Sequence, residues 1–163
     1  MSWWATKTRQ AVRHVTGRVS VAEREDLRSQ LGDRQLLLFE SMHRADQRHG
    51  LDVMAHLQSA GYDDRDLLVA ALLHDCAKGR SVGLTHRVAW SLGERYGQGV
   101  LDAFSVLPGF RAAFARLRDH AEASARLAHE AGCSERTAEL IRHQGAPTDP
   151  VAGRALHLAD EAS

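Results

Sequence analysis

His74 and Asp75 are adjacent, and residues 67–73 before them read LLVAALL. A helix that apolar belongs in a core. An aspartate carried into a core needs a cation or several hydrogen-bond donors. With an imidazole beside it, the simplest common partner is a divalent metal ion, because imidazole and carboxylate are donors suited to Fe, Mn, Co, Ni or Zn. Lys78 follows one turn later. Its ammonium suits an anionic group beside such a metal, or else a solvated lysine at a helix C-terminus, which the macrodipole favours.

The chain carries ten histidines, and the turns between them sort the rest. Antiparallel helices joined by a short turn hold residues equally far from that turn at one height. His49 and His74 have their midpoint between residues 61 and 62, where Gly61-Tyr62-Asp63 reads as a turn. The midpoint of His120 and His143 falls between residues 131 and 132, at Gly132-Cys133-Ser134. That of His143 and Asp160 falls between residues 151 and 152, just past the loop 147–150. Three helix pairs thus each bring two ligand-type side chains to a common height.

The elements that must position these residues are helical from end to end. No period-2 strand, internal repeat or low-complexity tract is visible, and the three prolines sit at apparent helix boundaries. The expected fold is an all-α single-domain bundle of about seven or eight helices. Residues 3–18 have an amphipathic spacing with Lys7, Arg9, Arg13 and Arg18 on the polar face. Such a helix suits packing on the domain better than a membrane surface, since so few charges and so short a stripe bind lipid weakly. Ser20-Val21-Ala22-Glu23 is a capping box. Asp33 should cap a helix through LLLFESM, and the next helix, carrying His49, should stop at Gly61. Asp63 or Asp64 should cap a helix LLVAALLHDCAK ending at Gly79. Residues 80–118 are helical but broken by glycines and Pro108. Asp119 should open a helix ending at Gly132, Ser134 should cap the next, and Asp149-Pro150 should start the last. Residues 1–39 read as N-terminal helices packed on a domain formed by residues 40–163.

Composition narrows the function classes. The chain has 163 residues, 44% hydrophobic and 26% charged, the balance of an ordinary globular domain. Lys+Arg and Asp+Glu are 21 each, which speaks against a general nucleic-acid binder. Two cysteines, Cys76 and Cys133, make no disulfide framework. With no apolar run at the N-terminus or of membrane-spanning length, the expected setting is cytoplasmic and reducing, without stable membrane association.

His49 within RHGLDV, His74-Asp75 within ALLHDCAK and Asp160 within LHLADEAS form a pattern that resembles the HD-domain superfamily of metal-dependent phosphohydrolases, over roughly residues 40–163. The resemblance implies that His49, His74, Asp75 and Asp160 hold one divalent metal. It implies that His120 and His143 add a second, bridged by Asp75, as in the binuclear bacterial HD hydrolases of dinucleoside polyphosphates. One or two ions per chain (Fe, Mn, Co, Ni or Mg) are therefore expected. The cyclic-di-GMP phosphodiesterase branch has two adjacent histidines and a GYP motif, whereas here Gln144-Gly145-Ala146 follows His143.

The expected reaction is hydrolysis of a phosphoester or phosphoanhydride bond in a small phosphorylated substrate, a nucleotide. Asp75 and Lys78 would act in catalysis, with Lys78, Arg80, His86 and Arg87 contacting substrate. No glycine-rich phosphate loop is present. Two other readings share the ligands: an HD-fold di-iron oxygenase, and a non-catalytic regulatory HD domain. His157, one turn before Asp160, is a candidate to support that ligand, and Asp46, one turn before His49, reads as a solvated aspartate. Cys76 reads as packing, and His14, His43, His56 and His129 have no ligand position.

Overall fold

The capping box is formed as the sequence dictates. Ser20 Oγ accepts from the Glu23 amide and Glu23 Oε2 accepts from the Ser20 amide, opening α1 (Val21–Gln30). The computed structural model describes residues 18–163, so the helix expected over residues 3–18 lies outside the described residues apart from Arg18. Eight further helices follow: α2 (Asp33–Ser41), α3 (Arg44–Ser59), α4 (Arg65–Leu73), α5 (Leu84–Tyr96), α6 (Gln98–Ser105), α7 (Phe110–Glu130), α8 (Glu135–Arg142) and α9 (Ala152–Ala162). The described residues contain no strand, and the fold is all-α. None of the helices among them is long and apolar enough to cross a membrane.

Most punctuation was readable. Asp64 Oδ1 accepts from the Asp66 and Leu67 amides, Ser134 Oγ accepts from Thr137, and Gly61 and Gly132 take the positive φ of helix ends. Asp149 Oδ1 accepts from Val151 and Ala152 at 2.8 Å, although the helix itself begins at Ala152. Three expected boundaries are corrected. Asp33 is the first residue of α2 rather than its cap, a place taken by Gly32. Asp119 does not open a helix, because α7 already starts beyond Pro108 and Gly109, whose φ is 85°, and runs through it; Asp119 pairs with Arg118 on the surface. The α4 helix does not reach Gly79. It stops at Leu73, and tight turns follow in which Cys76 N bonds Leu73 O and Lys78 N bonds Asp75 O.

Two cores hold the bundle. The larger joins α1–α4, the second half of α7, α8 and α9; Leu27, Leu31 and Phe39 pack in it with Leu51, Leu72, Ala125 and Leu156. The smaller core consists of Val82, Ala89, Ala113, Phe114 and Leu117, with Trp90, Leu101, Phe104 and Phe110 against it. Helix α7 runs through both cores.

Ion pairs tie these parts to α3, the helix of His49. Arg48 joins Glu23 of α1 at 2.6 Å and Asp52 at 2.9 Å. The Arg48 bond, then the Ser20 amide, lower the Glu23 pKa to about 2. A carboxylate depressed in the folded state stabilises above its unfolded pKa, and that contribution fades as pH falls from about 4.5 towards 2. Glu23→Gln is expected to remove about 1 kcal/mol of stability at pH 7 after solvent screening, and less at pH 3, in urea unfolding at the two pH values.

Candidate metal centre

Gly50 sets the separation of the two helices that carry the first candidate ligands. A Cβ there would lie 2.8 Å from the Leu72 carbonyl oxygen and 3.2 Å from that of Ala71. Only a residue without a side chain lets α3 lie on α4 this closely. The result is His49 against His74, ring centroids 5.2 Å apart. The expected common height of these two residues is thus realised as contact.

Around them four more groups gather. His49 Nε2 lies 2.7 Å from Asp160 Oδ1, and His74 Nε2 lies 3.6 Å from the same oxygen. One ligand atom from each of His49, His74 and Asp160 falls within a 4.8 Å cluster, a grouping that could hold a metal ion. Asp75 Oδ1 stands 3.5 Å from His74 Nε2 and 3.5 Å from His120 Nε2. Lys78 Nζ is 2.6 Å from Asp75 Oδ2.

Ring orientations are fixed from behind. His74 Nδ1 donates to Ala71 O at 2.9 Å, and His120 Nδ1 donates to Leu117 O at 2.6 Å. Each Nε2 is thereby turned towards Asp75, the arrangement that metal-bound histidines normally adopt. His74 and Asp75 are 1% and 2% exposed, yet His74 Nε2 and Asp75 Oδ1 have no hydrogen-bond partner. Buried polar atoms are almost always satisfied. Two orphans facing each other among imidazoles and carboxylates fit a divalent cation between them.

The electrostatics agree with that fit. Burial disfavours the His74 imidazolium, but Asp75 and then Asp160 outweigh it and raise its pKa to about 9. Burial likewise opposes ionisation of Asp75, yet His74, Lys78 and His120 hold it well below the usual carboxylate range. At Asp160 burial also opposes ionisation, and the hydrogen bond from His49 together with the nearby His74 imidazole overcomes it in the same way. His120 is shifted the other way, lowered by burial and by Lys78. The pocket is built to surround positive charge.

The structure therefore brings together His49, His74, Asp75, Lys78, His120 and Asp160. It does not bring His143 to them. His143 terminates α8, its Nε2 lies 3.3 Å from Glu139 Oε2, and its side chain is 38% exposed. The neighbouring Gln144 turns inward instead. Arg80 donates to Glu40 O and Ser41 O, closing the end of α2. Arg87 is bonded twice to Asp46, at 2.7 and 2.8 Å, and also to Val82 O. Asp46, expected to be solvated, is 2% exposed. His86 Nδ1 accepts from the Gly83 amide at the start of α5, and its ring packs 4.5 Å from Phe110. None of these three basic side chains has a contact with the cluster.

Several supporting residues gave no readable sign in the sequence. Buried Gln144 donates to His74 O at 3.1 Å, and its own carbonyl accepts from His157 Nδ1 at 3.0 Å, so His157 reaches the site through it. Ser124 Oγ accepts from Ala77 N at 3.0 Å, clamping the turn that carries Asp75 and Lys78. Cys76 is buried, and burial pushes its thiol up to about 12, as befits packing. Gly50, adjacent to His49 within a helix, was the one signal available for the close helix contact.

No protein-family model matches this chain, and no curated protein or solved structure matches it.

Proposed function

We propose that this protein is a metal-dependent phosphohydrolase of the HD type, cleaving a phosphoester or phosphoanhydride bond of a nucleotide. The observation that carries the reading is the pair of buried, partnerless atoms, His74 Nε2 and Asp75 Oδ1, inside a ring of His49, His120 and Asp160. The resemblance of the His49, His74-Asp75 and Asp160 strings to HD phosphohydrolases supports it as well.

His49, His74 and Asp160 would hold the ion, with Asp75 beside them and His120 on the far side of Asp75. The chemistry a divalent ion supplies when bound is a water whose pKa falls from about 16 towards 7 and a polarised phosphoryl oxygen. The protein supplies the rest. The carbonyls of Ala71 and Leu117 hold the Nδ1 protons of His74 and His120, so both Nε2 atoms stay directed inward. Lys78, held on Asp75 Oδ2, carries a positive charge at the rim of the buried carboxylate, where a phosphoryl oxygen would need one.

The deciding experiment is metal analysis of protein purified without added metal, followed by a phosphate-release screen over nucleotides. Metal together with phosphate release is the expected result. Bound metal with no release from any nucleotide would overturn the hydrolase. Lys78→Ala is expected to slow release by at least about ten-fold, the scale of one lost charge-assisted contact, with the metal content unchanged.

A further inference from the structure

Four cations stand near the turn that follows Asp75, and three are committed. Lys78 is paired with Asp75, Arg80 caps the end of α2, and Arg87 is forked onto Asp46. The fourth is Arg116 on α7. Its Nη1 bonds the neutral hydroxyl of Ser81, and among the described residues it has no carboxylate partner. A guanidinium has five N–H donors, so most of this fork is available.

Its position is the informative part. Arg116 lies one turn before His120 on α7, about 6 Å along the helix axis and on the same face. His120 Nε2 faces Asp75, so that face of α7 looks onto the cluster. The Arg116 fork lies over the loop just beyond Lys78: a Cβ built on Gly79 would be 3.6 Å from its Nη1. Gly79 has a φ of 75°, and no side chain stands between the guanidinium and the loop.

We infer that Arg116 is a specificity-determining residue which binds a second anionic group one step from the reacting phosphoryl group, so that the site prefers a pyrophosphoryl-containing substrate to a simple phosphomonoester. This rests on the phosphohydrolase reading for the identity of the first group. A planar fork matches two phosphate oxygens at once, which a lysine in the same place does not. Ser81 holds the fork in the free protein and can release it without leaving a buried charge unpaired, because Arg116 is exposed.

The test is calorimetric titration of the protein with orthophosphate and with imidodiphosphate, a pyrophosphate analogue, in the presence and absence of Mn²⁺. The wild type is expected to bind imidodiphosphate at least about ten-fold tighter than orthophosphate. Arg116→Gln should abolish that preference while leaving orthophosphate affinity within about two-fold, and Arg116→Lys should restore only part of it. A preference intact in Arg116→Gln overturns the inference, as does a wild type with no preference. In the latter case Mn²⁺-dependent orthophosphate binding leaves the phosphohydrolase reading standing. An Arg116-dependent preference in a protein that binds no Mn²⁺ supports the anion site and removes the metal reading. Binding of neither anion under any condition removes both.

Discussion

Asp75→Asn is expected to lower affinity for Mn²⁺ by more than 100-fold and to abolish phosphate release, with the helical content unchanged. Removing a partner outside the ligand set weakens metal binding by about 10- to 100-fold, and a residue that itself faces the ion should exceed that. The reason lies in the charge arrangement. Asp75 is the buried anion against which His74, Lys78 and His120 are set. An amide of the same size keeps the packing but withdraws the charge, and it turns a possible donor towards His74 Nε2. Titration calorimetry, circular dichroism and phosphate release together check this, and undiminished metal affinity in the variant would remove Asp75 from the ligand set.

Gly50→Ala should destabilise the protein by about 1–3 kcal/mol, the range for overpacking a filled core, and weaken Mn²⁺ binding with it. The sign is diagnostic. Alanine in place of glycine inside a helix ordinarily gains up to about 1 kcal/mol from propensity alone. Here the new methyl would meet backbone, the Leu72 carbonyl at 2.8 Å, and backbone cannot swing aside as a flexible side chain can. Relief requires α3 and α4 to separate, and they carry His49 and His74. Urea unfolding of the metal-free protein measures the first effect and calorimetry the second. A variant as stable as the wild type would mean that the helices accommodate the methyl.

What the sequence disclosed, and what it did not, divides along a physical line. Caps and turns are local chemistry, so Ser20, Asp64, Ser134, Gly61 and Gly132 could be assigned from their neighbours. The arithmetic of hairpins gives height along a helix, and it paired His49 with His74 correctly. It gives no azimuth. His143 is the residue at which α8 ends, with φ −100° and ψ 17°, and it turns to Glu139 while Gln144 takes the inward place. The choice of partner for a long basic side chain is likewise non-local. Arg87 follows Asp75 closely in the chain, but the nearest buried carboxylate in space is Asp46 on another helix. The early end of α4 has no local sign, because apolar residues resume at Cys76 and Ala77 while the bonds of that turn depend on Ser124 and Gln144, far along the sequence.

The division into two cores bears on how the molecule comes apart. Resistance to local opening follows the apolar contacts that opening must break. Val82, Ala89, Ala113, Phe114 and Leu117 are a small set beside the core that spans α1 to α4, α8 and α9. His49, His74 and Asp160 stand on elements of the larger core, whereas Arg116 stands on the stretch of α7 that the smaller one holds, and His120 just past it. A sub-global opening of α5, α6 and the first turns of α7 would loosen the side of the cluster next to His120 and leave His49, His74 and Asp160 in register. One tether against that event, beside the smaller core itself, is the two-bond clasp of Arg87 on Asp46, which closes onto the same helix as His49.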